Sequence, residues 1–161
     1  MSRRELIDKI TDLLDSADVT VAVAESLTGG MVASALAEAP GASKWFRGAV
    51  VAYASDVKHE LLGVPPGPVV SAPAAEAMAS GIRRLLAADV AVALTGAGGP
   101  DPQDGQPPGT VFFGLSDGEQ NQIEHRYFDY RDPGQVCAEA VDEAFALLYA
   151  FLRTSAAARR D

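Results

Sequence analysis

The 161-residue sequence predicts an α/β fold, more narrowly a three-layer α/β/α sandwich around a mixed, mainly parallel sheet. Short apolar runs alternate with longer segments of helical periodicity, which is typical of βα units. Two of these runs break abruptly into small residues, after positions 24 and 94. Two later runs, joined through Asp117 and Gly118, predict an antiparallel hairpin in the C-terminal half. We therefore expect helices on both faces of one sheet.

The helices are predicted from apolar periodicity and from stop signals. In the first helix, Leu6, Ile10 and Leu14 recur at helical spacing. Gly63, and Pro40 with Gly41, are expected to end later helices. The predicted helices cover residues 3–17, 28–38, 56–62, 73–88 and 133–153.

The strands are predicted from apolar runs bounded by turn residues. They cover residues 19–24, 48–54, 90–94, 110–115 and 123–128. The segment DPQDGQPP at 101–108 is rich in Pro, Gly and Asp and predicts a surface loop. We find no internal repeat and no long linker. We therefore expect a single domain over residues 1–153 and a disordered tail over residues 154–161.

The charge balance limits the partners. The formal net charge is −9 at pH 7, and the clustered Lys and Arg that bind nucleic acid are missing. The N-terminus MSRRELIDKI lacks the apolar run of a signal peptide, and no segment approaches the roughly 20 apolar residues of a membrane span. We expect a cytoplasmic protein with no nucleic-acid or membrane partner. A symmetric homo-oligomer is compatible with a small domain of this class.

Cysteine and histidine usage limits the chemistry. The single cysteine, Cys137, lies in an Ala-rich helical pattern, so a buried, inert thiol is favoured over a reactive one. His59 and His125 have no second ligand at metal-binding spacing. We therefore expect no metal site and no cofactor. A Ser-His-Asp triad is disfavoured because His59 neighbours Lys58 and would point in a different direction.

The segment VTVAVAESLTGG at 19–30 is the most informative stretch of the chain. A buried strand that ends at Ser26 and begins a helix leaves backbone N–H groups free, which makes an anion site. The backbone around Thr28, Gly29 and Gly30 is the expected anion-binding element. Ser26 is either a nucleophile beside an oxyanion site or a simple helix cap, and Thr28 also suits a cap.

A glycine-rich turn follows the strand predicted at 90–94. Within 95–100, Gly96, Gly98 and Gly99 would let the backbone approach a ligand closely, although a tight turn alone also explains them. Neither GxxxxGK[ST] nor GxGxxG is present, so the usual triphosphate and dinucleotide sites are poorly supported. In a parallel sheet, this turn should meet the exits at 25–30 and 53–58 outside the carboxyl ends of the strands.

Lys58 and Tyr53 lie where the second apolar run gives way to a helix. Most lysines are solvated surface charges, but a lysine in a crevice has its pKa lowered by desolvation and can accept the proton of a serine hydroxyl. Tyr53 is either a proton relay or a packing residue with a polar tip.

Three motifs resemble the CinA C-terminal domain family, the nicotinamide-nucleotide amidases. They are AESLTGG at 24–30, WFRGAVVAYASDVK at 45–58, and LTGAGGPD with PPGTVFFGL at 94–115. The resemblance runs from about residue 5 to residue 152. It implies an α/β/α sandwich that converts nicotinamide mononucleotide to nicotinate mononucleotide and ammonia. It also implies a serine–lysine arrangement without metal.

The resemblance assigns roles to individual residues. Its serine falls on Ser26, its lysine on Lys58 and its tyrosine on Tyr53. Its Gly-rich turn falls on Gly96, Ala97, Gly98, Gly99 and Pro100. Four positions depart from the family pattern, and they put ligand affinity or substrate identity in question: Ser55, Asp56, Ala97 and Gln106.

The leading hypothesis is amide hydrolysis through an acyl-enzyme, with Ser26 as nucleophile and Lys58 as base. The substrate is expected to meet the turn that begins at Thr95, and Arg131 is a candidate partner for its phosphate. Two alternatives stay open. The first is binding of a pyridine nucleotide without efficient hydrolysis, and the second is hydrolysis of a different small amide in the same site.

Overall fold

A computed structural model describes residues 1–155 and 157–159 of the chain. Five strands form one sheet: β1 (Val21–Glu25), β2 (Phe46–Val51), β3 (Val90–Gly96), β4 (Thr110–Ser116) and β5 (Asn121–Tyr127). The α-helices are α1 (Arg3–Ala17), α2 (Met31–Ala37), α3 (Ala42–Trp45), α4 (Ser55–Leu62), α5 (Ala72–Leu85) and α6 (Pro133–Thr154). A short 3₁₀ helix follows at Ala157–Arg159.

The sheet is mixed, in the order β2-β1-β3-β4-β5. Strand β1 pairs in parallel with β2 and with β3. Strand β4 pairs antiparallel with β3 and with β5. The predicted α/β sandwich is confirmed, and the parallel pairing is confined to the β2-β1-β3 half. The direction changes because β3 and β4 are joined by a loop, whereas parallel neighbours need a crossover, usually a helix.

Alternation along β1 and β3 separates the two faces of the sheet. In β3, Val90, Val92 and Leu94 belong to the larger core on the side of α1 and α6, whereas Ala91 and Ala93 belong to the core under α5. Strand β1 repeats this pattern of large and small side chains. Because strand side chains alternate between faces, the small residues let α5 lie close to the sheet.

The elements follow the prediction with shifts at their ends. Helix α2 begins at Met31, three residues later than expected, because residues 26–30 form a turn. Strand β2 lies at Phe46–Val51 rather than at 48–54, and the short helix α3 before it was not predicted. Four residues make little more than one helical turn, too short to show a periodic pattern.

The end of α6 corrects part of the expected disordered tail. The Ser155 hydroxyl donates a hydrogen bond to Asp117 Oδ2 at 2.8 Å, and Ala157 is buried in the larger core. These contacts hold the chain beyond Thr154 against the β4–β5 turn, which the composition of the tail did not reveal. Residues 156, 160 and 161 of the expected tail lie outside the described residues.

Candidate active site

Three segments meet at a cavity of about 360 Å³ beside the carboxyl ends of β1 and β3. Six residues expected at the site line it: Ser26, Tyr53, Lys58, Gly96, Gly98 and Gly99. We call this space the serine cavity. The three predicted chain segments therefore do converge, as strand exits of a parallel sheet should.

Ser26 directly follows β1 and is 6% exposed. Its backbone carbonyl accepts a hydrogen bond from the Gly29 N–H at 3.0 Å, which closes the turn behind it. Within the described residues, its hydroxyl makes no hydrogen bond, although it lines the serine cavity. A buried hydroxyl without a protein partner is available to a ligand.

Lys58 is only 2% exposed, which is rare for a lysine. It lies in α4, and its Nζ donates a hydrogen bond to the Tyr53 carbonyl at 3.1 Å. Burial lowers the pKa of Lys58, while the negative charge of Asp104 opposes that effect. No hydrogen bond joins Lys58 to Ser26 in the described part of the chain. Both side chains line the serine cavity.

Tyr53 differs from the predicted proton relay. Its side chain is 70% exposed at the mouth of the serine cavity. Its backbone carbonyl, rather than its phenol, contacts the lysine amine. The chain leaves the sheet after Val51, so Tyr53 is not held as a strand residue would be. Its relay role stays a prediction.

The turn at 26–30 is not the open anion site that the sequence suggests. The fully buried carboxylate of Glu25 accepts hydrogen bonds from the Val32 and Ala33 N–H groups at 3.0 and 2.9 Å. It also accepts the Thr28 hydroxyl at 2.6 Å. The carboxylate thus caps the positive end of α2 from within the chain.

The ligand contacts predicted for Thr28, Gly29 and Gly30 stay predictions. None of the three lines the serine cavity. Gly29 and Gly30 have φ angles of 59° and 106°, so they supply the left-handed turn that brings Glu25 under the helix.

The glycine-rich turn after β3 divides into lining and supporting residues. Gly96, Gly98 and Gly99 line the cavity, whereas Thr95 and Ala97 lie behind it. The Thr95 hydroxyl donates to the Val69 carbonyl at 2.6 Å, and the Ala97 N–H donates to Thr110. Both residues thus support the turn, and the substrate contacts predicted for them stay predictions.

Gly99 cannot carry a side chain in this arrangement. Its φ angle is 87°, and a Cβ atom would lie 2.4 Å from the Tyr130 ring. In contrast, a Cβ on Gly98 would meet nothing closer than 3.7 Å. The amides of Gly98 and Gly99 have no hydrogen-bond partner among the described residues, and neither does that of Leu27. All three residues line the serine cavity together with Ser26.

Arg131 does not line the serine cavity. It is exposed in the segment between β5 and α6. Lys58 is the only cationic side chain among the described residues that line this space. A phosphate contact to Arg131 therefore stays a prediction.

Sequence reasoning missed several lining residues. Cys137, in the second turn of α6, lines the cavity and donates from Sγ to the Leu27 carbonyl at 3.2 Å. Burial raises the pKa of its thiol, which agrees with an inert group, although it lies at the cavity and is only partly buried. Asp101 and Gln103 line the same space from the loop after β3. No local signal in the sequence could place 137 next to 27.

A second, larger cavity of about 500 Å³ lies between α1 and α2. Its lining includes Arg3, Ile7, Met31 and Ala39 and shares no residue with the serine cavity. None of the described residues that line it carries a buried amine or a buried hydroxyl. We therefore place the candidate chemistry in the smaller space, where the functional groups are.

Within residues 1–155 and 157–159, neither a metal centre nor a membrane span is present. No cluster of three or more His, Cys, Asp or Glu side chains suited to a metal ion occurs there. None of the helices described combines the length and apolarity needed to cross a bilayer.

Comparison with known proteins identifies the family. The family model of the CinA C-terminal domain matches residues 3–152. A Listeria welshimeri protein named as competence-damage inducible is 36% identical over 93% of this chain, and a CinA-like protein of Frankia casuarinae is 46% identical over 66% of it. The chain spans only 37% and 26% of the length of those two relatives.

Solved structures of CinA superfamily proteins share the fold. One from Klebsiella pneumoniae has a TM-score of 0.90 and 30% identity, covering 96% of this chain and all of that one. One from Escherichia coli has a TM-score of 0.86 and 32% identity, covering 93% of each chain. The chain belongs to the CinA C-terminal domain family.

Proposed function

We propose that this protein is an amidase that hydrolyses the carboxamide of nicotinamide mononucleotide, releasing nicotinate mononucleotide and ammonia. The observation that carries the proposal is that two buried residues, Ser26 and Lys58, line one cavity. Lysines and unpaired serines are seldom buried without a reason. The resemblance of the motifs around Ser26 and Lys58 to the nicotinamide-nucleotide amidases supports the choice of substrate.

Lys58 acts as the base in this scheme. Burial lowers its pKa, which raises the fraction of neutral amine that can accept a proton. The Ser26 Oγ–H bond breaks as Lys58 takes the proton, and Oγ forms a bond to the carboxamide carbon. The tetrahedral intermediate then breaks its C–N bond, and the Lys58 ammonium returns the proton so that ammonia leaves.

Water completes the cycle. A water molecule, deprotonated by neutral Lys58, attacks the ester carbon, and the C–O bond to Ser26 breaks with return of the proton to Oγ. The free amides of Leu27, Gly98 and Gly99 are the donors proposed for the oxyanion. Because one such donor is typically worth about 3 kcal/mol of barrier, small shifts of either turn should slow the reaction strongly.

The direct test is ammonia release from nicotinamide mononucleotide by the wild type and by Ser26→Ala. We expect turnover in the wild type and loss of at least about a thousandfold in the variant, since no nucleophile replaces the hydroxyl. Calorimetry should show that Ser26→Ala still binds the nucleotide. Ser34→Ala, an exposed serine of α2, is the matched control and should behave as the wild type. Unchanged turnover in Ser26→Ala would contradict the proposal.

A second candidate function is binding without hydrolysis. It is favoured by one observation: the Lys58 amine donates to the Tyr53 carbonyl rather than to Ser26. Catalytic hydrogen bonds often tighten only in the substrate complex, so this geometry does not decide the matter. Calorimetric binding of the nucleotide without ammonia release by the wild type would select the second candidate. Release from a different small amide, and not from this nucleotide, would select another substrate in the same site.

A further inference from the structure

The loop after β3 contains a tight hairpin turn next to the serine cavity. Gln103 and Gln106 pair through two backbone hydrogen bonds of 3.0 and 2.8 Å. Between them, Asp104 and Gly105 have φ angles of 53° and 77°. Two consecutive positive φ angles in a two-residue connection are typical of a type I′ turn, for which Asp-Gly is a preferred pair. The turn therefore presents the Asp104 side chain in a defined direction.

The Asp104 carboxylate anchors this turn to a distant segment. Its Oδ2 atom accepts hydrogen bonds from the N–H groups of Val69 and Val70, at 2.9 and 3.0 Å. The Val69 carbonyl is held in turn by the Thr95 hydroxyl at the end of β3. Val69 thus connects the turn to the sheet. Hydrogen bonds to a charged group are stronger than neutral ones, so this anchor is well suited to hold an otherwise exposed loop.

The anchored loop forms one wall of the serine cavity. Asp101, Pro102 and Gln103 line it from this loop, immediately before the anchoring residue. Apart from the Gln103–Gln106 pairing and the Asp104 contacts, residues 101–106 make no hydrogen bond among the described residues. The Asp104 carboxylate therefore makes the only hydrogen bonds that join this wall to another part of the described chain.

The charge of Asp104 also acts on the cavity. It stabilises the charged form of Lys58 and so opposes the lowering of the lysine pKa by burial. The other titratable groups facing this cavity are Asp101, Tyr53 and Cys137. On α4 itself, Asp56 accepts the N–H of its neighbour Val57, and His59 Nδ1 lies 2.8 Å from the Val64 carbonyl.

We propose that Asp104 is a positioning residue for the reaction: its carboxylate holds residues 101–106 as a wall of the serine cavity, and its charge balances that of the Lys58 ammonium. The kinetic part of this proposal rests on the proposed amidase function. The anchoring part concerns the free protein and is tested without substrate.

Two substitutions separate the anchor from the charge. Asp104→Asn keeps an oxygen that can accept both N–H groups but removes the charge. Asp104→Ala removes both. Asp12→Asn, an exposed carboxylate on α1, controls for the change in net charge. The probe is nicotinamide mononucleotide, and kcat, KM and the pH profile of kcat/KM are measured for each variant.

We expect Asp104→Ala to raise KM about tenfold or more because the wall is released, with a smaller change in kcat. Asp104→Asn should have a KM close to that of the wild type. In both variants the acid limb of kcat/KM should move to lower pH, since Lys58 loses the charge that favours its ammonium form. Asp12→Asn should leave all three quantities unchanged. The proposal would be overturned if Asp104→Ala kept the wild-type KM and if the acid limb of its kcat/KM profile did not shift.

Hydrogen exchange keeps the anchor testable if the protein proves inactive. The Val69 and Val70 amides of the free protein should lose protection in Asp104→Ala and keep most of it in Asp104→Asn. Equal protection in all three proteins would overturn the anchoring role, whatever the activity. If the wild type showed no turnover but the Val69 and Val70 amides exchanged as expected, the amidase function would be contradicted and the anchoring role supported.

Discussion

Glu25 and Lys58 are both buried charged residues at the same edge of the sheet, but their surroundings differ sharply. The Glu25 carboxylate accepts three hydrogen bonds, from the Thr28 hydroxyl and the Val32 and Ala33 amides. Among the described residues, the Lys58 amine has one hydrogen-bond partner, a backbone carbonyl. A buried charged group with a full set of hydrogen bonds stabilises the fold, whereas one with unfilled hydrogen-bonding positions can bind a ligand.

The difference teaches how this edge is built. The Glu25 carboxylate caps the N-terminal turn of α2, so the chain itself fills the corner beside Ser26. The open space lies on the other side of Ser26, towards Lys58 and the glycines after β3. Substitutions at 25 should therefore change stability most, and substitutions at 58 should change activity most.

The largest effect is expected from Lys58→Met, a change that nearly conserves volume. Ammonia release should fall about a thousandfold, within the range that general acid–base groups contribute, because no base remains for the Ser26 proton. Steady-state ammonia assays measure this loss. Lys44→Met, on the exposed surface of α3, is the matched control. A variant that kept most of its turnover would remove Lys58 from the mechanism.

Glu25→Ala should have the largest effect on stability. The substitution leaves three donors without their acceptor, and we expect the free energy of unfolding to fall by about 3 kcal/mol. Glu25→Gln, which keeps one oxygen acceptor, should cost roughly half as much. Urea unfolding measures both. Glu38→Ala, an exposed position just after α2, is the control. If Glu38→Ala lowered the free energy of unfolding as much as Glu25→Ala, the buried cap would have no special role in stability.

Lys58→Met should also raise the free energy of unfolding, whereas substitutions of buried residues usually lower it. The folded protein holds the lysine pKa below its ordinary value, so between those two values the unfolded chain binds more protons and stability rises with pH. Removing the amine should stabilise the protein at pH 7 by about 1–3 kcal/mol, a range typical of relieving a buried polar group. The gain should shrink as the pH rises to the ordinary lysine range. A loss of stability at pH 7 would show that the buried amine is well satisfied.

Most of the fold is readable from the sequence because its signals are local. The alternation of Val and Ala in β1 and β3 sets the two faces, and the breaks after 24 and 94 mark the functional edge. These breaks also predict that Ser26 and the glycines after β3 meet at one edge of the sheet, where they line the serine cavity. The position of Lys58 after the second apolar run left a solvated surface charge as the ordinary interpretation, and its place at the site was implied by the family resemblance.

The parts that could not be predicted depend on contacts between distant positions. A glutamate that ends a strand gives no sign that it will fold under the next helix, so the corner at 28–30 looked open. The contact of Cys137 with Leu27 spans 110 residues, and that of Asp104 with Val69 spans 35. Such contacts arise only when helices and loops dock on the sheet, and no periodicity encodes them.

The central claim is that Ser26 and Lys58 act as one unit in the serine cavity. The measurement that tests it most directly is ammonia release from nicotinamide mononucleotide by four proteins: wild type, Ser26→Ala, Lys58→Met and the double variant. Groups that act as a unit are strongly non-additive, so the double variant should be no slower than either single variant. Independent losses that multiply in the double variant, or turnover that survives Ser26→Ala, would contradict the account.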